Sequence, residues 1–263
     1  MNGRAGTFPH KRGVLLLRGL YERLAFGVAL LVFGVGGLIY TVTGSVLYFL
    51  LPRRIGAALG QCVTMALFRF FVELLQLLGL ARCDLRALDA LRDGPPVVIA
   101  PNHPTYLDAM LVVSRLPNVA CIMKADVLDN AFLGGGAKLA GYIPADTPRE
   151  MIRAAVDALR GGQHVLFFPE GTRTLQSPVN PFRSGFASIA RHADAPVQAV
   201  LIEAESAYAH KGWPLLRMPD FPLVYRARLG ERFAPRADAK ALVADLETYF
   251  RRELGKAATN DGA

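Results

Sequence analysis

The stretch Asn102-His103-Pro104-Thr105-Tyr106-Leu107-Asp108 sets an imidazole and a carboxylate five positions apart. Side chains that meet on one helix face stand three or four apart, so regular helix does not bring this pair together. A loop tightened by Pro104 that then enters a helix can fold the Asp108 carboxylate back onto His103. The carboxylate would fix the ring tautomer and stabilise the imidazolium, leaving the other ring nitrogen to take a proton from a hydroxyl. Alone, the pair reads more readily as a helix cap or a surface group. Its weight comes from combination with a second stretch.

That stretch is Phe167-Phe168-Pro169-Glu170-Gly171-Thr172-Arg173. Gly171 allows close backbone approach to a ligand. Thr172 offers a hydroxyl, and Arg173 offers the planar fork that suits a phosphate, with Glu170 expected to orient it. Taken by itself, this heptad is also what a turn with a surface ion pair looks like.

Both stretches follow short apolar runs. Val97–Ala100, Val119–Met123, Gln163–Phe168, Val197–Ile202 and Leu223–Leu229 read as strands. Helical patterns lie between them near Leu107–Arg115, Leu128–Ala140, Arg149–Leu159 and Ser184–His192, and Asp238–Leu254 closes the domain. Continuous apolar strands alternating with helices indicate an α/β fold with a mostly parallel central sheet flanked by helices. Parallel strands release their C-terminal loops on one edge, where such folds place their sites, so the two stretches can meet there.

The 263 residues are 52% hydrophobic and carry a net charge of +8. The charge favours an anionic partner and does not choose among phospholipid, nucleic acid and phosphorylated substrate. The apolar excess lies at the N-terminus, where Leu24 to Leu51 has no charged residue and is long enough to cross a membrane core of about 30 Å. Arg4, Lys11, Arg12, Arg18 and Arg23 precede it, and Arg53 and Arg54 follow it. The positive-inside rule wants both flanks in the cytoplasm, which one straight span cannot satisfy. A monotopic or re-entrant hairpin satisfies it, with Gly34, Gly36 and Gly37 as the expected weak point, and is preferred over a single pass. The expected location is the cytoplasmic face of the inner cell membrane. Ile55 to Leu80 reads as a second, amphipathic helix in which Arg69 and Glu73 can pair. The expected organisation is a basic segment over 1–23, a two-helix membrane anchor over 24–80, the α/β domain over 81–254 and a flexible tail over 255–263.

Cys62, Cys83 and Cys121 are dispersed and form no CxxC pair, so neither a disulfide framework nor a zinc site is expected. Gly134-Gly135-Gly136 lacks the following Lys-Ser/Thr of a P-loop. Nucleic-acid binding has the charge in its favour and no motif.

Taken together, the two stretches resemble the first and third motifs of the glycerolipid acyltransferase superfamily, in the order that family has them. The likeness is nearest to bacterial 1-acylglycerol-3-phosphate acyltransferases and related lysophospholipid acyltransferases, and covers about Pro95 to Ile202. The resemblance implies His103 as general base and Asp108 as its orienting partner. It implies that Glu170, Gly171, Thr172 and Arg173 help bind the acceptor, Arg173 through a phosphate. It makes Lys124, after the strand Val119–Met123, a candidate to stabilise the oxyanion, with a snorkelling surface lysine as the rival reading. Asn102, Arg183 and Gly185 are further substrate-binding candidates. Gly141-Tyr142-Ile143-Pro144 resembles the second motif, with Thr147 where an arginine is usual and Arg149 displaced by two. Ala195-Pro196-Val197-Gln198-Ala199-Val200 resembles the fourth, with Ala199 for its second proline. These departures bear on the acceptor, and a specialised lipid of a secondary pathway is an alternative.

The implied reaction needs no metal and no bound cofactor. Its partners are acyl-CoA or acyl carrier protein as donor, a lysophospholipid acceptor and the membrane. The rival readings are a lipid ester or thioester hydrolase, which lacks the usual G-x-S-x-G signature, and a non-catalytic membrane scaffold.

Overall fold

The computed structural model describes residues 9–130, 134–206, 208–214 and 216–260. The part of the basic N-terminal segment before Pro9 and the last three residues of the tail lie outside them.

Helix α1 (Pro9–Leu50) and helix α2 (Arg53–Leu77) are joined at Leu51-Pro52 and run antiparallel. Proline fits the start of a helix because its missing N–H has no partner there anyway. Cross-contacts fix the hairpin along its length. Tyr21 Oη donates to the Leu78 carbonyl, Phe33 tilts against Phe71 at 5.0 Å, and Tyr40 Oη donates to the Gly60 carbonyl at 2.9 Å. Leu17–Leu50 and Arg53–Leu77 are both long and apolar enough to cross a membrane, with mean hydropathies of 2.1 and 1.6.

The expected break at Gly34, Gly36 and Gly37 is corrected: α1 runs unbroken through all three. A glycine inside a helix costs about 1 kcal/mol. Breaking the helix there would strand backbone donors and acceptors in an apolar run, which costs more.

The α/β domain follows. Its elements are β1 (Ala81–Asp84), a 3₁₀ turn (Arg86–Leu91), β2 (Val98–Pro101), α3 (Asp108–Val113), β3 (Val119–Met123), α4 (Ala125–Leu128), α5 (Gly134–Leu139), β4 (Ile143–Pro144), α6 (Pro148–Arg160), β5 (His164–Leu166), α7 (Gly185–Ala193), β6 (Val197–Ala204), β7 (Leu223–Phe233) and α8 (Ala239–Asn260). The seven strands lie in the order β1-β7-β6-β2-β5-β3-β4. Strands β2 to β6 are mutually parallel, β7 runs antiparallel to β6, and β1 is parallel to β7. Strand β2, which leads to His103, is therefore central.

Alternation along the strands builds two cores, one on each face. Val97 and Ile99 join the core that includes residues of α1, α2 and α3, whereas Val98 and Ala100 join the core with α6, α7 and α8. His164 at the start of β5 is buried and pins this centre. Its Nδ1 accepts from the Val97 N–H at 3.2 Å and its Nε2 donates to the Leu91 carbonyl at 2.9 Å. Burial holds its pKa below the ordinary histidine value.

Three more sequence expectations are corrected. The helix expected over Leu128–Ala140 is confined to α5 (Gly134–Leu139) among the described residues; α4 ends at Leu128, and 131–133 lie outside the described residues. The tail expected from Gly255 is helix as far as Asn260. Strands β1 and β4 were not expected at all; at four and two residues they are too short to show a period.

The triglycine Gly134-Gly135-Gly136 is a packing platform in α5. A Cβ on Gly135 would collide with the Thr41 carbonyl and one on Gly136 with the Tyr40 ring, while a Cβ on Gly44 would lie 2.9 Å from the Gly135 backbone. Backbone-to-backbone approach of α5 and α1 thus locks the hairpin against the domain.

Candidate active site

Strand β2 ends at Pro101, and the loop after it carries His103 into the start of α3, where Asp108 sits in the first turn. Asp108 is fully buried. Its Oδ2 lies 2.8 Å from His103 Nδ1 and accepts from the Thr105 N–H at 2.7 Å, while its Oδ1 accepts from the Thr105 hydroxyl at 2.6 Å. An acceptor-only carboxylate opposite Nδ1 puts the proton on Nδ1 and leaves Nε2 as the basic nitrogen. The His103 side chain keeps 19% of its surface exposed, and Phe168 stacks on its ring with centroids 4.0 Å apart. Tyr225 on β7 is buried beneath, and burial first, then the Asp108 charge, pushes its hydroxyl pKa well up.

The loop after β5 meets the loop after β2 directly. The Thr174 N–H donates to the His103 carbonyl at 2.7 Å. Glu170 Oε1 accepts from the His103 N–H and from the Thr174 hydroxyl, and its Oε2 accepts from the Asn180 N–H, each at 2.8 Å. The expectation that Glu170 orients Arg173 is thereby corrected: its hydrogen bonds go to His103, Thr174 and Asn180. Glu170 is 2% exposed, and that burial raises its pKa although all three donors favour the charged form.

Arg173 is held from two other sides. Its guanidinium carbon lies 3.3 Å from the centroid of the Tyr106 ring, and its Nη1 donates to the carbonyls of Ala209 and His210 at 3.1 and 2.9 Å. Among the described residues its Nε and Nη2 have no hydrogen-bond partner. Gly171 has φ +65°, and a Cβ there would lie 2.8 Å from Arg183 Nε, so the Arg183 side chain runs over the glycine. Thr172 stands half-buried in the same turn.

The remaining expected residues divide. Asn102 is buried, with Nδ2 donating to the Ile202 carbonyl and Oδ1 accepting from the Ile202 N–H, so it stitches β2 to β6. Gly185 opens α7, and a Cβ on it would lie 2.8 Å from the Phe167 ring. Both are committed to packing. Lys124 is exposed at the cap of α4, at the end of β3. Strand β3 is two places from β2, about 10 Å at the usual strand spacing.

Sequence reasoning missed Thr105, Phe168, Tyr106 and the carbonyls of Ala209 and His210. The first three lie inside the quoted motifs, and their neighbours give the signal. The carbonyls come from the β6–β7 connection, which carries no motif.

Fold and site together define a class: a parallel-sheet domain with a histidine–carboxylate pair and a neighbouring arginine at the carboxyl edge, packed on a long apolar hairpin. Residues 82–203 match the family described as Acyltransferase. The chain is 26% identical over 127 residues to a chloroplastic 1-acyl-sn-glycerol-3-phosphate acyltransferase, BAT2, of Brassica napus, covering 46% of this chain and 37% of the relative. It is 23% identical over 178 residues to the 1-acyl-sn-glycerol-3-phosphate acyltransferase of Pseudomonas aeruginosa, covering 65% and 69%. Its fold is that of the crystal structure of the 1-acyl-sn-glycerophosphate (LPA) acyltransferase PlsC from Thermotoga maritima. The TM-score is 0.65 at 18% identity, covering 92% of this chain and 97% of that one. The matched region, just under half of the chain, is thus similar to acyltransferases, and the fold is one that such an enzyme adopts.

Proposed function

We propose that this protein is a membrane-associated O-acyltransferase that moves a fatty acyl group from a thioester to a hydroxyl of lysophosphatidic acid or a similar lysolipid. The observation that carries the reading is the His103–Asp108 pair at 2.8 Å, with the Arg173 loop bonded to the same backbone.

In the proposed reaction the acceptor oxygen attacks the thioester carbon while its proton passes to His103 Nε2. Asp108 steadies the imidazolium. The C–O bond forms and charge builds on the carbonyl oxygen; Lys124 and backbone N–H groups are the candidate donors to it. The C–S bond then breaks, and the leaving thiolate takes the proton from His103. General-base help of this kind is typically worth about 10²–10⁴ in rate. Arg173, through Nε and Nη2, holds the acceptor's anionic head group, with Thr172 and Arg183 beside it. Acyl-CoA or acyl carrier protein is the donor.

The anchor supports membrane association. Its face from Ala25 to Gly44 packs against the rest of the molecule, while Leu24, Val28, Leu31, Val35 and Leu38 are exposed. A helix leaning on its own domain over that length favours monotopic seating on one leaflet, and the basic flanks favour the cytoplasmic one.

The test is mass spectrometry of products from the purified protein with a panel of lysolipids and acyl thioesters. The reading expects diacyl product from an anionic lysolipid. Free fatty acid alone would favour hydrolysis at the same histidine.

A further inference from the structure

The connection between β6 and β7 emerges on the same edge of the sheet as the His103 loop, and its root is built into the site. The Ala209 carbonyl accepts from the Tyr106 N–H at 3.1 Å and, with that of His210, from Arg173 Nη1. Ala209 adopts φ +63°, a conformation costly for a residue with a Cβ and held by those bonds.

The outer part of the connection is a folded tip. The Trp213 N–H donates to the His210 carbonyl at 3.1 Å and the Arg217 N–H to the Pro214 carbonyl at 2.9 Å. The Trp213 indole donates to the Arg217 carbonyl at 3.0 Å, and the Arg217 guanidinium lies 4.8 Å over the indole ring. This ordered turn presents Leu216 to solvent at 79% exposure, with Met218 exposed beside it. Leu216 and Met218 together make an exposed apolar patch on that turn, and such patches mark interaction surfaces.

The tip is also continuous with the anchor. Tyr208 packs edge-on against both Trp213 and Phe26 of α1, at 6.0 and 6.2 Å, and Phe26 also meets Phe221 at 5.8 Å. On α1 the neighbouring Leu20, Tyr21, Leu24 and Val28 are exposed. The nearby charges are Lys211 and Arg217 on the tip, Arg18 and Arg23 on α1 and Arg226 at the tip's base, against Asp220, Glu22 paired with Arg18, and Glu205 paired with Arg226. An aromatic ring, an outward leucine and an excess of cations form the pattern of a segment seated in an anionic lipid interface.

We infer that the β6–β7 connection is a second membrane-contact element, whose tip of Trp213, Leu216 and Met218 enters the head-group region of an anionic bilayer while its root holds Arg173 at that surface. The inference rests on the reading of this protein as a membrane lipid acyltransferase and adds where the bilayer meets the site. A lysolipid's head group would then reach Arg173 without leaving the interface.

Trp213 is the single tryptophan of the sequence, so its emission reports the tip alone. The full chain is reconstituted in vesicles of phosphatidylglycerol and phosphatidylcholine containing acyl-brominated lipid. The expected result is a blue shift and strong quenching of Trp213, several-fold weaker in Leu216→Glu and in Lys211→Glu. Activity is measured in parallel on a bilayer-borne lysolipid and on a water-soluble short-chain acceptor. Leu216→Glu is expected to raise the surface KM several-fold and to leave the rate on the soluble acceptor unchanged. Absent quenching in vesicle-bound protein, or quenching that Leu216→Glu retains in full, would overturn the inference while leaving the proposed catalysis standing. An emission shift that follows protein concentration instead of lipid would assign the tip to contact between copies, and would also overturn it. Absence of transfer to either acceptor would instead refute the catalytic reading, which the quenching does not depend on.

Discussion

Replacing Asp108 by Asn is the perturbation whose outcome the geometry constrains most tightly. Three donors face this carboxylate: His103 Nδ1–H and the Thr105 N–H at Oδ2, and the Thr105 hydroxyl at Oδ1. The Thr105 N–H cannot turn round, so the new amide must keep its oxygen on the His103 side. Its NH₂ then meets the Thr105 hydroxyl, which can switch from donor to acceptor. The ring tautomer survives, and what is lost is the negative charge opposite the imidazolium. Opposite charges about 4 Å apart interact by about 4 kcal/mol at an effective dielectric of about 20. That corresponds to a fall of about 10³ in kcat, within the usual span of general-base catalysis. The assay is thiol release from an acyl thioester at saturating acceptor, with circular dichroism to show that the variant is folded. The acceptor KM is expected to change little, because Arg173 and its supports are untouched. A folded Asp108→Asn protein within threefold of the wild-type kcat would refute the assignment of Asp108 as the charge partner of His103.

Arg173→Ala is expected to raise the acceptor KM by about 10- to 100-fold, the worth of a charged hydrogen bond, with a smaller effect on kcat. Arg173→Lys should not restore it, because an ammonium lacks the flat fork that rests on Tyr106 while reaching two carbonyls; steady-state kinetics checks both. Gly171→Ala forces a Cβ into φ +65° against Arg183 and should lower the melting temperature, at a cost of about 1–2 kcal/mol, and raise the acceptor KM. His164 gives a pH signature. Burial holds its folded-state pKa below the ordinary histidine value of 6.5, so the unfolded chain binds more protons near that pH and stability rises with pH through the window. Melting temperature should hold above about pH 6.5 and decline as pH falls below it, and His164→Asn should be less stable with a flatter dependence there.

The His103–Asp108 pair was legible because its geometry is local. Five residues of loop and helix start, with Thr105 between them, suffice to close His103 on Asp108, and the residue types announce the chemistry. The α/β alternation was legible because strands such as β2 and β6 are buried on both faces and read as unbroken apolar runs. Glu170 was misread because its partners, His103 and Asn180, come from separate loops that only the sheet order brings together. The hold on Arg173 by Ala209 and His210 was invisible, since a main-chain carbonyl has no sequence signature. Glycine misled in opposite ways. Gly34 and Gly36 sit in an intact helix where an added Cβ would meet open space, so they need no bend. Gly134-Gly135-Gly136 looked like a failed phosphate loop, and its purpose emerges only with α1 lying across it. Gly255 likewise sits inside α8.

The central claim is that His103 takes the acceptor's proton. The most direct measurement is the rate of diacyl product formed from a labelled acyl thioester and a lysolipid by purified wild-type and His103→Ala proteins, each shown to be folded and membrane-bound. The account predicts that transfer by His103→Ala is abolished while its membrane binding is unchanged. Undiminished transfer by that variant would contradict it.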